Sequence, residues 1–346
     1  MKIAYIFSYF GEGGAEEQAF LLAQKTKESG DEVVFIIDQI ADSALNKLEK
    51  NNFEIVSLPM RSSFNLISVF ISAVKLKLII KSRKIDIIHS HMLREQSLAI
   101  LAKILGSNFM LVRTFHRLDQ FNWKMKPLMW LYSKFTDAFI SITEFMSEYL
   151  KKNGIKSKTY LIENGVLRVD SDNHEYALGF IGRLSDEKGI LDFIEANCNI
   201  LRKTKLVVAG DGPNLLSIKC LADKNHLNVE LMGRVDNKSD FFSKISVLIL
   251  PSRTEVLPLA VLEAYSCGLP VVAFKLSSLK GLIDDDNGST VDFPDYEELG
   301  KTAVGVLKIS SSFKLANIKK YNDKYSVDKM WNKTRGLYQL LVNRIC

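Results

Sequence analysis

The feature that most constrains the fold is a pattern that occurs twice along the chain. Short apolar runs rich in Ile, Val and Phe alternate with longer segments of helical periodicity. In the first half the runs are residues 3–7, 33–37, 55–58, 85–89, 110–114 and 138–142, with helical segments such as 15–29 and 95–105 between them. The pattern restarts with 178–181, 206–209, 229–232, 247–250 and 271–274. A continuously apolar run is a strand buried on both faces, and such strands separated by helices form a parallel sheet covered on both sides. The predicted fold class is therefore α/β, with two Rossmann-like, doubly wound parallel-sheet domains. A chain of 346 residues suits two domains of roughly 150 to 200 residues. The expected boundaries are 1–167 and 168–325, divided at the polar stretch 168–174. Segment 327–341 reads as a final helix with Trp331, Leu337, Tyr338 and Leu341 available for packing. Ligands of doubly wound sheets lie beyond the carboxyl ends of the strands, and two such units predict a cleft between them.

Composition narrows the class. Hydrophobic residues make up 47% and charged residues 25%, which excludes a disordered, fibrous or multi-span membrane chain. The net charge of +6 is too mild to indicate nucleic-acid binding. Residues 1–170 carry 23 Lys and Arg against 18 Asp and Glu, so most of the excess lies in the first half. That imbalance suits an anionic lipid surface or a phosphate-bearing acceptor. The four cysteines, at 198, 220, 267 and 346, include no CxxC pair, which leaves out zinc and redox motifs. Scattered thiols of this kind are expected to be buried, and they suit a reducing cytoplasm. The opening MKIAYIFSYFGEGG has one Lys and no small-x-small site, so it reads as a first buried strand rather than a signal peptide.

Four strand ends carry candidate chemistry. The first strand runs into Gly11-Glu12-Gly13-Gly14, where glycines let backbone N–H groups approach a phosphate or sugar at a helix N-terminus. In the second half, Gly182-Arg183-Leu184-Ser185-Asp186-Glu187-Lys188-Gly189 follows a strand and precedes a helix. An Arg and a Lys five apart there can clamp a diphosphate and neutralise a departing group. Gly210-Asp211-Gly212-Pro213 allows close backbone approach, with Pro213 placed to start the next helix.

The third loop of the second half is the most specific. Residues 250–255, Leu-Pro-Ser-Arg-Thr-Glu, leave a strand, and a helix opening near Pro258 runs to Gly268. Glu255 precedes that helix and Glu263 lies inside it, eight positions on, about 12 Å if fully helical. That separation is too long for one metal or for an acid–base pair on one bond. It suits two grips on an elongated ligand with the helix N-terminus between them, the layout of a nucleotide-sugar. Glu263 sits among Leu259, Ala260, Val261 and Leu262, and a carboxylate in such company needs hydroxyl or cationic donors.

With these motifs in this order, the chain resembles glycosyltransferase family 4, whose members have the GT-B fold and retain the anomeric configuration. The resemblance rests on Gly13-Gly14-Ala15-Glu16, Gly182-Arg183-Leu184 with Lys188-Gly189, Gly210-Asp211-Gly212-Pro213 and Glu255-x7-Glu263. Weaker echoes are Asp86-Ile-Ile-His-Ser-His91, Thr114-Phe-His116, Asn164-Gly165, Met232-Gly233-Arg234 and Asn287-Gly288. They spread the likeness over essentially the whole chain. The resemblance implies that Arg183 and Lys188 bind the donor diphosphate and stabilise the leaving group. It implies that Glu263 bonds the ribose hydroxyls. Glu255 would contact the transferred sugar, with backbone amides from Val256, Leu257 and Leu259 adding donors. His116 would sit near that sugar across the cleft, and backbone at Gly233, Arg234 and Val235 would meet the base. Gly13 and Gly14 would approach the diphosphate from the first domain, with Gly210 and Gly212 close by on the second. The final helix, about 326–346, would pack back on the first domain. One departure is Val256, where the family commonly has Gly.

The activity so implied is hexosyl transfer from a UDP- or GDP-linked sugar to a glycan or lipid-linked hydroxyl, in cell-surface polysaccharide or glycolipid synthesis. The alternatives are a non-catalytic nucleotide-sugar-binding protein and a nucleotide-sugar epimerase on the same scaffold. No cofactor or metal is expected. Asp284-Asp285-Asp286 precedes Asn287-Gly288 and reads as a solvated turn. His89 and His91, two apart at a strand end, are taken to point to opposite faces and so to form no metal pair.

The acceptor side is expected in two basic, apolar segments. Residues 61–84 hold six basic and no acidic residues among Phe64, Leu66, Ile67, Val69, Phe70 and Ile71, with Lys75 and Lys77 interrupting them. Residues 121–135 combine Trp123, Lys124, Lys126 and Trp130, a composition that favours a membrane interface. The expected location is cytoplasmic, peripheral on the inner face of the cytoplasmic membrane.

Overall fold

The computed structural model describes residues 1–60, 66–117, 126–155, 158–171 and 174–343; the side chains of 66, 126–129 and 131 lie outside that description. The chain divides into two compact units: Met1–Gly165 with Val327–Cys346, and Val166–Ser326.

Unit 1 is built on a seven-stranded parallel sheet in the order β3-β2-β1-β4-β5-β6-β7. The strands are β1 (Lys2–Phe10), β2 (Glu32–Ile40), β3 (Glu54–Ser57), β4 (Ile87–Ser90), β5 (Met110–Phe115), β6 (Ala138–Ser141) and β7 (Thr159–Leu161). The interleaved helices are α1 (Gly14–Glu28), α2 (Asp42–Lys50), α3 (Leu66–Arg83), α4 (Leu93–Ile104), α5 (Lys126–Phe135) and α6 (Glu144–Lys152). β1 is an inner strand, and its stretch Ile3, Ala4, Tyr5 and Ile6 is buried on both faces. Its register against β2 pairs Lys2 with Glu32 and Phe7 with Ile37. The last helix, numbered α14 (Val327–Val342), belongs to this unit. Its Trp331, Leu337, Tyr338 and Leu341 enter the same core as Tyr5, Phe7 and Phe35. Burying several such side chains at about 1.5–3 kcal/mol each is ample to hold the helix there.

Unit 2 repeats the plan with six parallel strands in the order β10-β9-β8-β11-β12-β13. These are β8 (Leu178–Ile181), β9 (Leu206–Ala209), β10 (Val229–Gly233), β11 (Val247–Leu250), β12 (Val271–Phe274) and β13 (Gly288–Val291). Its helices are α7 (Ile190–Ala196), α8 (Cys198–Leu201), α9 (Leu215–Asn225), α10 (Lys238–Phe242), α11 (Leu259–Ser266), α12 (Tyr296–Lys308) and α13 (Lys314–Lys320). Phe180, Val208, Ile249 and Phe274 from four strands meet Phe193 and Leu299 from the helices in one core.

Two strands carry no sequence signal. β7 and β13 each form one edge of their sheet, are three and four residues long, and are half or less buried. Edge strands need no apolar run on both faces, so neither stands out. The thiols also differ from expectation. Cys267 is buried, Cys198 is half-buried and Cys220 is exposed; Cys346 lies outside the described residues. Cys220 falls on an outward position of α9, where a helix offers nothing to cover it. Asp284, Asp285 and Asp286 are exposed, and Lys320 pairs with Asp284 at 2.7 Å.

Candidate functional site

In both sheets the strand order reverses beside the first strand of the unit, between β1 and β4 and between β8 and β11. The loops leaving those strands diverge there and open a crevice. A depression of unit 1 lined by Met1, Lys2, Gly30, Glu32, Arg83 and Asp86 lies at the opposite, N-terminal end of the strands and has none of these loops.

In unit 2 the loops after β8 and β11 are joined side by side. Lys188 Nζ donates to Glu255 Oε1 at 2.6 Å, and the Glu255 side chain is only 8% exposed. Arg253 N–H donates to the Glu187 carbonyl at 2.9 Å, and Arg253 also pairs with Asp192 on α7 at 2.9 Å. Gly189, with φ of 65°, lies so close to the next loop that a Cβ would fall 2.1 Å from the Pro251 carbonyl oxygen. The Ser278 hydroxyl donates to the Glu255 carbonyl at 2.5 Å. Lys188 and Glu255, 67 residues apart in sequence, thus become neighbours through the strand order alone. Arg183, in the same loop as Lys188, is exposed.

The loop after β9 is stitched to the loop after β8 in the same way. Leu184 N–H donates to the Asp211 carbonyl at 2.9 Å, and Asn214 N–H to the Leu184 carbonyl at 3.0 Å. Gly210 has φ of 133°, and a Cβ there would fall 1.9 Å from the Gly182 carbonyl oxygen. The glycine is required for backbone packing between two loops, whatever else passes near it. Gly212 is likewise packed against the Leu184 backbone.

Glu263 lies in the second turn of α11 and is 4% exposed. Its neighbours Val261, Leu262, Ala264 and Tyr265 are buried too. Lys238, the first residue of α10, pairs with Glu263 Oε1. A buried carboxylate without such a cation would be costly. Sequence reasoning supplied the need for a donor but not the donor itself: no motif marks Lys238, five positions beyond Gly233. Pro258 is the N-cap of α11, with an extended ψ of 120°, one step earlier than the expected first helical turn. Val256 and Leu259 are half-buried and Leu257 is buried beside that N-terminus. Arg234 is exposed and Val235 half-buried after β10. Nothing in the local packing explains Val in place of Gly at 256.

Unit 1 presents its own crevice. Gly13 is the N-cap of α1 and Gly14 its first residue. Glu16 folds back over that turn, its Oε2 lying 2.4 Å from where a Cβ on Gly13 would be. Burial raises the Glu16 carboxyl above the usual range, and the charge of Glu95 adds to the effect. Glu95, 1% exposed in the first turn of α4, accepts from Ser8 N–H at 2.7 Å. Glu16 stood in the Gly13-Gly14-Ala15-Glu16 motif without a role assigned to it, and Glu95 was given none either.

The histidines of this unit form a stack. The rings of His89 and His91 lie 4.6 Å apart and those of His91 and His116 5.2 Å apart. The opposite-face expectation for His89 and His91 is thus wrong: side chains alternate along a strand, so positions two apart share a face. His91 Nδ1 and His116 Nε2 share a hydrogen bond of 2.9 Å. His89 bonds the Tyr338 hydroxyl at 2.6 Å through Nδ1 and the Thr114 hydroxyl at 2.7 Å through Nε2. Burial pushes His89 and His116 down to about 3, helped by the Arg113 charge, and it pushes His91 down as well. All three are therefore neutral near pH 7, and His116 is held by its neighbour rather than by solvent. Among the described residues no three His, Cys, Asp or Glu are grouped to hold a metal ion.

Of the acceptor-side residues, Lys75 is exposed. Lys77 is half-buried and donates to the Leu105 carbonyl at 2.5 Å. Trp130 is 66% exposed on α5. Trp123 and Lys124 lie outside the described residues, and Lys126 is described only in its backbone, as the first residue of α5.

Comparison with known proteins gives the family and the fold. Residues 12–167 match the family described as Glycosyltransferase Family 4, and residues 175–308 match Glycosyl transferases group 1. An uncharacterized glycosyltransferase of Methanocaldococcus jannaschii is 30% identical over 308 residues, covering 85% of this chain and 86% of that protein. An α-1,4-N-acetyl-D-galactosaminyltransferase of Campylobacter jejuni, named for a glycan acceptor on PP-undecaprenol, is 27% identical over 282 residues and 76% of each chain. The crystal structure of Anabaena HepE in complex with UDP and glucose superimposes with a TM-score of 0.82 at 16% identity, covering 98% of this chain and 99% of that one. The two parallel-sheet units are those of the GT-B fold, and the chain belongs to the family 4 glycosyltransferases.

Proposed function

We propose that the chain is a retaining glycosyltransferase. It moves a hexose-type sugar from a nucleoside-diphosphate sugar, UDP-linked in the favoured reading, to a hydroxyl of a glycan or lipid-linked acceptor. The observation that carries this is the unit 2 crevice. It sets the cations of Arg183 and Lys188 and the largely buried side chain of Glu255 on adjoining strand-end loops, with the buried Glu263 in the helix that follows. UDP is supported by HepE, which was crystallised with UDP and glucose. The lipid-linked acceptor is supported by the Campylobacter relative and its undecaprenol-bound glycan. Such an acceptor sets the reaction in cell-surface polysaccharide or glycolipid synthesis, at the inner face of the cytoplasmic membrane.

Each group then has a part. The bond from the anomeric carbon to the diphosphate oxygen breaks, and charge grows on the diphosphate. Arg183 and Lys188 stabilise that charge, aided by N–H groups at the start of α11. No metal is assigned a share in this. Lys188 exchanges Glu255 for the phosphate as the donor enters, which frees Glu255 to hydrogen-bond hydroxyls of the sugar. Glu263 accepts from the ribose hydroxyls, with Lys238 paired beside it. The acceptor hydroxyl attacks the same face the diphosphate leaves and gives its proton to the departing diphosphate oxygen, so configuration is retained. A paired-carboxylate double displacement would need two carboxyl groups about 5 Å apart, and no such pair is assigned here.

A thermal-shift panel of UDP, GDP, ADP and CMP on wild type and Glu263→Ala tests the donor site. A ligand at 100 times its dissociation constant stabilises by about 2.7 kcal/mol, a shift of several degrees. The expected result is a shift with UDP that falls at least tenfold in apparent affinity in the variant. No shift with any nucleotide at millimolar concentration would remove the donor assignment.

A further inference from the structure

We propose that the outward face of α3 rests on an anionic lipid surface. The inference rests on the lipid-linked acceptor reading and adds the element that brings the enzyme to the lipid. The helix buries Ser72, Ala73, Leu76 and Ile80 against unit 1. Its opposite face carries Ile67, Phe70, Ile71, Val74 and Leu78, exposed by 69, 50, 48, 36 and 60%. These positions step by three and four, so they form one apolar stripe along three turns, about 16 Å long. Isolated apolar side chains are ordinary on a protein surface, whereas a continuous stripe marks a contact.

Charge selects the occupant. Residues 61–84 contain six basic and no acidic residues. Lys75 is exposed on the flank of the stripe, and exposed Lys81 and Lys84 follow its end. Lys77 is tied to the Leu105 carbonyl at 2.5 Å and Arg83 to Glu54 at 2.6 Å, so among the described residues of this segment the cations facing out are Lys75, Lys81 and Lys84. A second copy of the chain laid on this face would bring the same lysines together with no acid on the helix to answer them. Anionic phospholipid answers both features, with acyl chains for the stripe and headgroups for the lysines. The helix lies in the interface and does not cross it: among the described residues no helix is long and apolar enough to span a membrane. Trp130, exposed on α5 of the same unit, is of the residue type that favours that depth.

The test is flotation of the full chain with vesicles of phosphatidylglycerol and phosphatidylcholine, and with phosphatidylcholine alone, at low and high salt. The variant is Phe70→Glu/Leu78→Glu, which changes two exposed positions. Wild type is expected to float with the anionic vesicles at least tenfold more than with neutral ones, and to lose most of that in high salt. The double variant is expected to lose at least tenfold in flotation while keeping its nucleotide-induced thermal shift. Wild type left at the bottom of the gradient with anionic vesicles overturns the proposal, as does a variant that floats equally well. A wild-type dimer in light scattering that the variant abolishes assigns the stripe to a second copy and overturns it too. Loss of the donor reading would show instead as an absent nucleotide shift with flotation intact, so the two failures are separable.

Discussion

Lys188→Ala is expected to lower kcat/KM by about 10²- to 10³-fold, which is roughly 3–4 kcal/mol of transition-state stabilisation. The lysine bonds Glu255 at 2.6 Å in the structure and is 25% exposed, so it is held in place but open to a ligand. Charge on the departing diphosphate is greatest in the transition state. The loss should therefore appear mainly in kcat, with KM changed little. An ordinary surface ion pair would be worth at most about 1 kcal/mol, a few-fold effect, so the magnitude separates the two roles. Removing the lysine also strands the carboxylate of Glu255, with a stability cost of about 1–3 kcal/mol. Steady-state kinetics on protein shown folded by its thermal transition decides the matter. A rise in KM with kcat unchanged would mean that Lys188 only binds the donor.

Acid should destabilise the protein through the histidine stack. An ordinary histidine titrates near 6.5, while folding holds His89 near 3 because its ring is wholly buried beside other potential cations. The unfolded chain therefore binds the proton more readily throughout the window between about 3 and 6.5. Stability from this residue is complete above that window and is lost as pH falls through it. Each pH unit inside the window costs about 1.4 kcal/mol, so His89 alone costs about 2 kcal/mol at pH 5. His91 and His116 act in the same direction. Glu16 opposes them, since its raised carboxyl takes up a proton more readily in the folded state. Urea titrations at pH 7.5, 6 and 5 should show the midpoint falling. In His89→Gln the protein should be weaker at pH 7.5 and the slope with pH shallower. Equal midpoints at pH 7.5 and 5 in wild type would rule out a buried neutral stack. The consequence is that His116, bonded to His91, stays neutral across the physiological range.

What the sequence made legible follows from which strands are buried. The central strands β1, β2, β8 and β11 are covered on both faces, so their apolar runs are continuous and the two doubly wound sheets could be read from them. β7 and β13 lie at sheet edges and carry no such run, whereas the opposite edge strands β3 and β10 do. Glu263 was legible because a carboxylate among Val261, Leu262 and Ala264 requires a partner. Lys238 was not, because its place beside Glu263 depends on how the loop after β10 meets α11. The same limit hid the pairing of Lys188 with Glu255, which strand order creates. The stack of His89, His91 and His116 was within reach of a simple rule, since positions two apart on a strand share a face. For α3 the sequence showed a mixture of cations and apolar residues; the burial of Ser72, Ala73, Leu76 and Ile80 revealed which face points outward.

The central claim is that the unit 2 crevice drives sugar transfer. The most direct measurement is incubation of the purified enzyme with radiolabelled UDP-hexoses and a bacterial lipid extract, followed by butanol partition and determination of the anomeric configuration of the product. The account predicts label in the lipid phase with the donor's α-configuration, from wild type and not from Lys188→Ala. Product of inverted configuration, or label transferred equally by Lys188→Ala, would contradict it.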